Sequence, residues 1–272
     1  MLARIRVVLV RPRRGGNVGS VARAMKNMGL ADLVLVAPRT PVGASAERMA
    51  AHAGDVLQRR RVVRDLPAAV RDCHLVVGTV GRTTTGPAEP IAARSAGSAI
   101  AIAARRGRVA LVFGPEDHGL SNAELDLCQM LVRIPTAEAY GSLNLAQAVL
   151  VCAYEIHLAA RSRAVDPRDD GRGHGASGES DRRPATSGER EALVAHLADA
   201  LDRIGFLSRQ NPAHILRDVR SLLARASLTA RDVRIWRGIA RQMLWAGGRA
   251  ESARARPGGR VNRRAGSGSA PA

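Results

Sequence analysis

Asn17-Val-Gly-Ser-Val-Ala-Arg-Ala-Met-Lys-Asn-Met-Gly29 stands just after a short apolar run, Ile5–Val10, and a turn of arginines and glycines. Within it Val18, Val21, Ala22, Met25 and Gly29 recur at helical spacing on one face, with Ser20, Arg23 and Asn27 opposite. A buried strand handing over to an amphipathic helix begins an alternation that continues along the chain. Leu33–Val36, Leu75–Gly78 and Val109–Phe113 are short and rich in Val and Leu, as buried parallel strands are. Helical patterns lie between them at 18–29, about 44–53, 66–72 and about 91–105. Ser121-x-x-Glu124 is a capping box opening another helix, and 144–160 is a long last one. The expected fold class is α/β with a parallel sheet.

The bulk numbers set bounds on function. A chain of 272 residues suffices for one well-cored domain and a smaller one. With aromatics at 2%, Leu, Val, Ile and Ala must fill the core. No apolar run approaches the roughly 18–20 residues of a membrane span. The run Val7–Val10 meets Arg11 and Pro12, too soon for a signal-peptide core. A cytoplasmic protein without a membrane partner is expected. Cys73, Cys128 and Cys152 are odd in number and far apart, and no Cys/His cluster has ligand spacing. Core thiols are expected, with neither disulfides nor a metal. The formal net charge of +18 suits a polyanionic partner. Only Lys26 among the 42 basic residues is lysine. Genomic base composition can produce that bias toward Arg, but not the surplus of positive over negative charge.

The surplus is spread along the chain: +8 over residues 1–160, zero over 161–189, and +5 each over 190–246 and 247–272. Asp166 to Gly188 is a run rich in Gly, Ser, Asp and Arg without apolar periodicity, which reads as a flexible linker. Three helices are expected beyond it. One carries Leu193, Val194, Leu197, Leu201 and Ile204; one starts at Asn211-Pro212; the third is capped by Thr229. Such a unit, of about 57 residues, makes a marginal core alone, so docking on the larger domain or on a second subunit is expected. The expected boundaries are a domain at 1–163, a linker at 164–188, a helical domain at 189–246 and a disordered basic tail at 247–272.

Two further segments sit where a strand passes to a helix, the usual place for a ligand in an open α/β sheet. In Phe113-Gly-Pro-Glu-Asp-His-Gly-Leu120, Gly114 permits close backbone approach and Gly119 a tight turn. In Ile134-Pro-Thr-Ala-Glu-Ala-Tyr-Gly-Ser-Leu-Asn-Leu-Ala-Gln147, Ser142 or Asn144 can cap the last helix. His118 reads as a surface residue. Arg82-Thr-Thr-Thr-Gly86 is equally a phosphate-contacting loop or an ordinary polar one. No Walker-type G-x-x-x-x-G-K-[ST] occurs and no G-x-G-x-x-G follows the first strand, so nucleotide hydrolysis and dinucleotide binding are not expected.

Together these three segments resemble the motifs of the SPOUT-superfamily RNA 2′-O-methyltransferases, the SpoU branch. The resemblance implies an enzyme that moves a methyl group from S-adenosylmethionine to a ribose hydroxyl of RNA. It assigns the catalytic arginine to Arg23, site-shaping to Asn17, a functional carboxylate to Glu116, and positions facing the reacting centre to Ser142 and Asn144. Cofactor contacts fall at Thr79, Val80 and Gly81, at Gly114, at Ile134, and at Gly141, Ser142 and Leu143. Past the linker, Gly205-Phe-Leu, Asn211-Pro212, Arg217, Leu228-Thr229, Arg237-Gly238-Ile239 and Arg241-Gln242 resemble the C-terminal domain of TrmJ-type tRNA methyltransferases. That likeness implies tRNA as partner and the pyrimidine at anticodon-loop position 32 as target. It also implies a C-terminal trefoil knot and a homodimer.

Arg23 stays protonated near neutrality, which favours stabilising the incipient alkoxide and holding the adjacent phosphate over action as a base. Alternatives are an enzyme acting on another tRNA or rRNA site, a non-catalytic RNA-binding homologue, and a small-molecule methyltransferase, the last poorly matched to the charge.

Overall fold

The computed structural model describes residues 1–81, 89–139, 141–162, 182–207 and 212–254. Its first part is a seven-stranded, wholly parallel sheet in the order β3-β2-β1-β6-β4-β7-β5. The strands are β1 (Ile5–Val10), β2 (Asp32–Val36), β3 (Arg61–Val63), β4 (Leu75–Val80), β5 (Ile91–Ala92), β6 (Val109–Phe113) and β7 (Met130–Arg133). Between them lie α1 (Gly15–Asn27), α2 (Ala44–Ala50), α3 (Gly54–Gln58), α4 (Leu66–Val70), α5 (Ala93–Arg106) and α6 (Asn122–Leu125), with α7 (Leu145–Ser162) after β7.

Both faces of the sheet are covered, which is why its central strands read as unbroken apolar runs. Ile5, Val7 and Leu9 of β1 pack under α1, α5 and α7 with Met25, Ile100 and Ile156. Val8 and Val10 point the other way, toward Leu66 and Val70 of α4 and Leu125 of α6. Gly19 lets α1 lie directly on α2, since a β-carbon there would fall 2.0 Å from the Ala46 carbonyl oxygen.

Three strands escaped the sequence reading. β3 is short and exposed, β5 has only two residues, and β7 has four. Strands β3 and β5 close the two edges of the sheet, where one-sided pairing needs little apolar patterning. Ile91–Ala92, expected as the start of a helix, pairs with Val132 and Arg133 instead, and α5 begins at Ala93.

Among the described residues, Arg6 is the one charged side chain buried within the sheet layer, 2% exposed. It donates to Asp32 Oδ2 at 2.9 Å, Asp72 Oδ1 at 2.6 Å and the Ala69 carbonyl at 2.6 Å. Burial opposes its charge, yet Asp72 and Asp32 more than compensate and hold the guanidinium above its ordinary range.

The C-terminal part forms the three expected helices: α8 (Ser187–Arg203), α9 (Pro212–Arg225) and α10 (Ala230–Arg254). α8 starts inside the stretch expected as linker, because Thr186 and Glu189 form a reciprocal capping box. α10 runs eight residues past the boundary expected at 246. Leu193 and Leu197 of α8, Leu228, and Val233 and Ala240 of α10 form a core against which Val219 and Leu223 of α9 pack, partly buried.

This unit docks on the starts of β4 and β7. Ser187 N donates to Cys73 O at 2.7 Å and Gly188 N to Arg71 O at 3.0 Å. Arg190, 8% exposed, donates to the carbonyls of His74 and Ala185 and to Gln129 Oε1 at 2.7 Å. Burial among these neutral oxygens lowers the Arg190 guanidinium to about 10. Removing the cap by Thr186→Ala is expected to cost about 1 kcal/mol, a fall in Tm of roughly 2–4 °C. Thermal denaturation followed by circular dichroism measures it; an unchanged Tm would mean the cap contributes nothing to this docking.

Candidate functional site

Strands β4, β6 and β7 end side by side, and the end of β4 with the segments that follow β6 and β7 borders one open cavity of about 800 Å³. That is within the usual size of cofactor sites, roughly 300–1,000 Å³. Thr79, Val80 and Gly81 border it from the end of β4. Phe113 to Gly119 border it from β6, and Ile134 with Gly141, Ser142 and Leu143 from the segment between β7 and α7. All eight positions expected to touch a cofactor therefore line a single space, together with Glu116. Thr79 belongs to β4 itself, and its hydroxyl donates to the Val112 carbonyl at 3.0 Å, fixing the strand end.

The β6 loop folds tightly on itself. A β-carbon at Gly114 would fall 2.3 Å from the carbonyl carbon of Gly119 and 2.4 Å from Leu120 N. Gly119 itself adopts a left-handed φ of +70°. His118, read from the sequence as a surface residue, is exposed at the cavity rim, with Nδ1 2.8 Å from Asp117 Oδ1.

Asn17 and Asn144 lie beside this cavity, joined to it through Glu116. Asn17 Nδ2 donates to Glu116 Oε1 at 2.7 Å, and Asn144 Nδ2 donates to Asn17 Oδ1 at 3.2 Å. The other Glu116 oxygen accepts from Arg13 N at 3.3 Å. Asn144 also caps α7: its Oδ1 accepts from Ala146 N at 2.9 Å, while Gln147 Oε1 accepts from Asn144 N at 3.1 Å. One side chain thus serves as cap and as site link. Residues 99 and 127 positions apart are brought within hydrogen-bonding distance by the sheet order.

Arg23 is not drawn into this network. It lies on α1 six residues after Asn17, about 9 Å further along the helix axis at the helical rise. Its side chain is exposed, does not line the cavity, and makes no hydrogen bond or ion pair among the described residues. The loop Arg82–Gly86 falls outside the described residues. The three cysteines are buried, and burial pushes each thiol up to about 12, as core thiols rather than nucleophiles.

One pair was missed from sequence. Arg11, at the end of β1, reaches Glu124 of α6 with both guanidinium nitrogens, at 2.5 and 3.1 Å. The capping box flagged Glu124, but nothing in the local pattern marked Arg11 as its partner.

A parallel sheet whose strand ends border one cavity of this size is the architecture of an α/β protein that holds a small ligand at its strand ends. Residues 4–154 match the SpoU rRNA Methylase family, and residues 188–256 match the C-terminal domain of the tRNA methyltransferase TrmJ. The chain is 40% identical over 240 residues to the tRNA (cytidine/uridine/adenosine-2′-O-)-methyltransferase TrmJ of Pseudomonas aeruginosa, spanning 88% of this chain and 93% of that one. It is 38% identical to the tRNA (cytidine/uridine-2′-O-)-methyltransferase TrmJ of Yersinia pestis, spanning 88% and 91%. The crystal structure of TrmJ from Z. mobilis ZM4 superposes with a TM-score of 0.72 at 33% identity, over 88% of this chain and 98% of that one. The chain belongs to the SpoU methylase family, and it carries a TrmJ C-terminal domain.

Proposed function

We propose that this chain transfers a methyl group from S-adenosylmethionine to the ribose 2′-hydroxyl of a tRNA nucleotide, the pyrimidine at anticodon-loop position 32. The observation that carries the reading is that the end of β4 and two of the three motif segments border one donor-sized cavity, with the first motif joined at its side through the Asn17–Glu116–Asn144 chain. The tRNA activities named for the Pseudomonas and Yersinia relatives support the substrate class.

The residues present fit the donor. The tight Gly114–Gly119 turn leaves bare backbone along one wall, and Thr79–Gly81, Ile134 and Gly141–Leu143 supply backbone groups along the others. When bound, S-adenosylmethionine supplies a methyl group made electrophilic by its sulfonium.

The chain's own task is to align the ribose oxygen and to stabilise charge as it develops there. Arg23 is assigned to that charge and to the neighbouring phosphate; its exposed guanidinium, without a partner among the described residues, leaves it available to RNA. Glu116 takes N–H bonds from Asn17 and from the backbone of Arg13, so it fixes the Asn17 amide rather than standing free as a base. Ser142 borders the cavity and Asn144 anchors Asn17, and both are assigned to the reacting side.

The same reading places the protein in the cytoplasm, threads its sheet as a trefoil knot and pairs it as a homodimer. Supporting the pairing, Leu150, Tyr154 and Leu158 form an exposed apolar stripe at four-residue spacing on α7, whose first turn borders the cavity. Tyr154→Asp is expected to shift the protein from dimer to monomer in sedimentation velocity and to lower turnover at least tenfold. A monomeric parent protein would overturn the pairing.

Ribose-methylation mapping on tRNA from a strain lacking the protein, with and without its restored gene, tests the function. A missing 2′-O-methyl group at position 32 is the expected result. Loss at another tRNA site or in rRNA would move the target. No loss anywhere, with no transfer in vitro, would leave a non-catalytic RNA binder.

A further inference from the structure

We propose that Arg11 is a positioning residue: by clamping Glu124 it sets the spacing between the start of α1, which carries Asn17, and the β6 loop, which carries Glu116. The inference rests on the methyl-transfer reading of the site.

Arg11 heads the segment that leads from β1 to Asn17, and Glu124 closes the segment that runs from Gly114 through Glu116 to α6. Among the described residues, four contacts involving side chains cross between these segments. The outer ones, Asn17 to Glu116, Arg13 N to Glu116 and the Arg13–Asp117 ion pair, are solvent-exposed. Exposed contacts of this kind hold little on their own. The inner one is of another kind. Both Arg11 terminal nitrogens meet both Glu124 oxygens, at 2.5 and 3.1 Å, with the carboxylate 11% exposed. Such two-pronged, partly desolvated pairs are the strong and directional ones.

Glu124 is held from its own side as well. Its Oε2 accepts from Ser121 N at 2.8 Å, and its carbonyl accepts from Cys128 Sγ at 3.4 Å. The clamp therefore ties the β1 loop to a carboxylate already fixed in the α6 turn. Burial alone would raise the Glu124 carboxyl, yet Arg11 and Ser121 together hold it below its ordinary value. Arg11 also adopts a left-handed φ of +47°, a conformation a glycine would take without strain. A long side chain therefore stands at a backbone position that does not favour one.

The test separates positioning from stability. Arg11→Met strands a buried carboxylate, so Tm and turnover are both expected to fall. Adding Glu124→Gln removes that charge while Gln can still accept from Ser121 N. In the double variant Tm is expected to return to within about 2 °C of the parent. Its kcat for tRNA methylation is expected to stay at least tenfold down, with donor affinity by calorimetry changed less than threefold. Arg11→Lys, which keeps the charge but one prong, should fall between.

Recovery of turnover together with Tm would overturn the proposal, as would a tenfold loss of donor affinity that accounts for the whole effect. Hydrogen exchange gives a readout independent of activity: in the double variant the Gly119 amide, bonded to Pro115 O, should exchange at least tenfold faster while Leu125 stays protected. Unchanged exchange at Gly119 would also overturn it. Absence of methyl transfer by the unmutated chain would instead sink the functional reading, and the exchange comparison would still decide the clamp.

Discussion

Arg23→Ala is expected to lower kcat for tRNA methylation about 10²–10³-fold, the loss typical of removing one donor that stabilises developing negative charge. Donor affinity by calorimetry should stay within threefold, because Arg23 does not border the cavity. Tm should move by less than about 2 °C, since an exposed side chain without partners among the described residues contributes little to folding. Arg23→Lys keeps the charge but loses the planar fork, so it should recover only part of the rate. Full activity in Arg23→Ala would remove the residue from the mechanism. Equal loss of donor binding would place it at the wrong step.

Gly114→Ala is expected to fail one step earlier. Its new methyl group would sit 2.3 Å from Gly119 C and 2.4 Å from Leu120 N, both backbone atoms with no rotamer to yield. The β6 loop must therefore open by an ångström or more. Displacements of that size cost about 10²-fold at an aligned site. Overpacking of this kind destabilises by roughly 1–3 kcal/mol. Calorimetric titration with S-adenosylmethionine should show at least a hundredfold weaker binding while the protein remains folded. Wild-type donor affinity in this variant would mean the turn does not shape the site.

The central strands and long helices were legible because covered sheets and amphipathic helices leave apolar patterns of different period. β1 and β6 carry that signal at full length, and Thr186-x-x-Glu189 would have moved the start of α8 had its spacing been weighed against the glycine-rich run before it. β3, β5 and β7 leave almost no pattern, since two to four residues fit any period. The cavity-lining positions were reached through the motif resemblance, not through periodicity. What no pattern carried was pairing across the fold. Asn17 with Glu116, Arg11 with Glu124 and Arg190 with Gln129 are separated by 99, 113 and 61 residues. Each depends on which strands become neighbours, a property of the sheet order and not of local sequence.

The fastening of the helical unit at His74 and Gln129, where β4 and β7 begin, leaves it at the far margin from Gly81 and Ile134. Six residues of β4 span about 20 Å at the strand rise. Within one chain, a polynucleotide gripped at both margins must cover that distance, which a lone nucleotide cannot do. The helical unit thus stands a strand's length away from the cavity, within reach of an extended polymer but not of a single bound nucleotide.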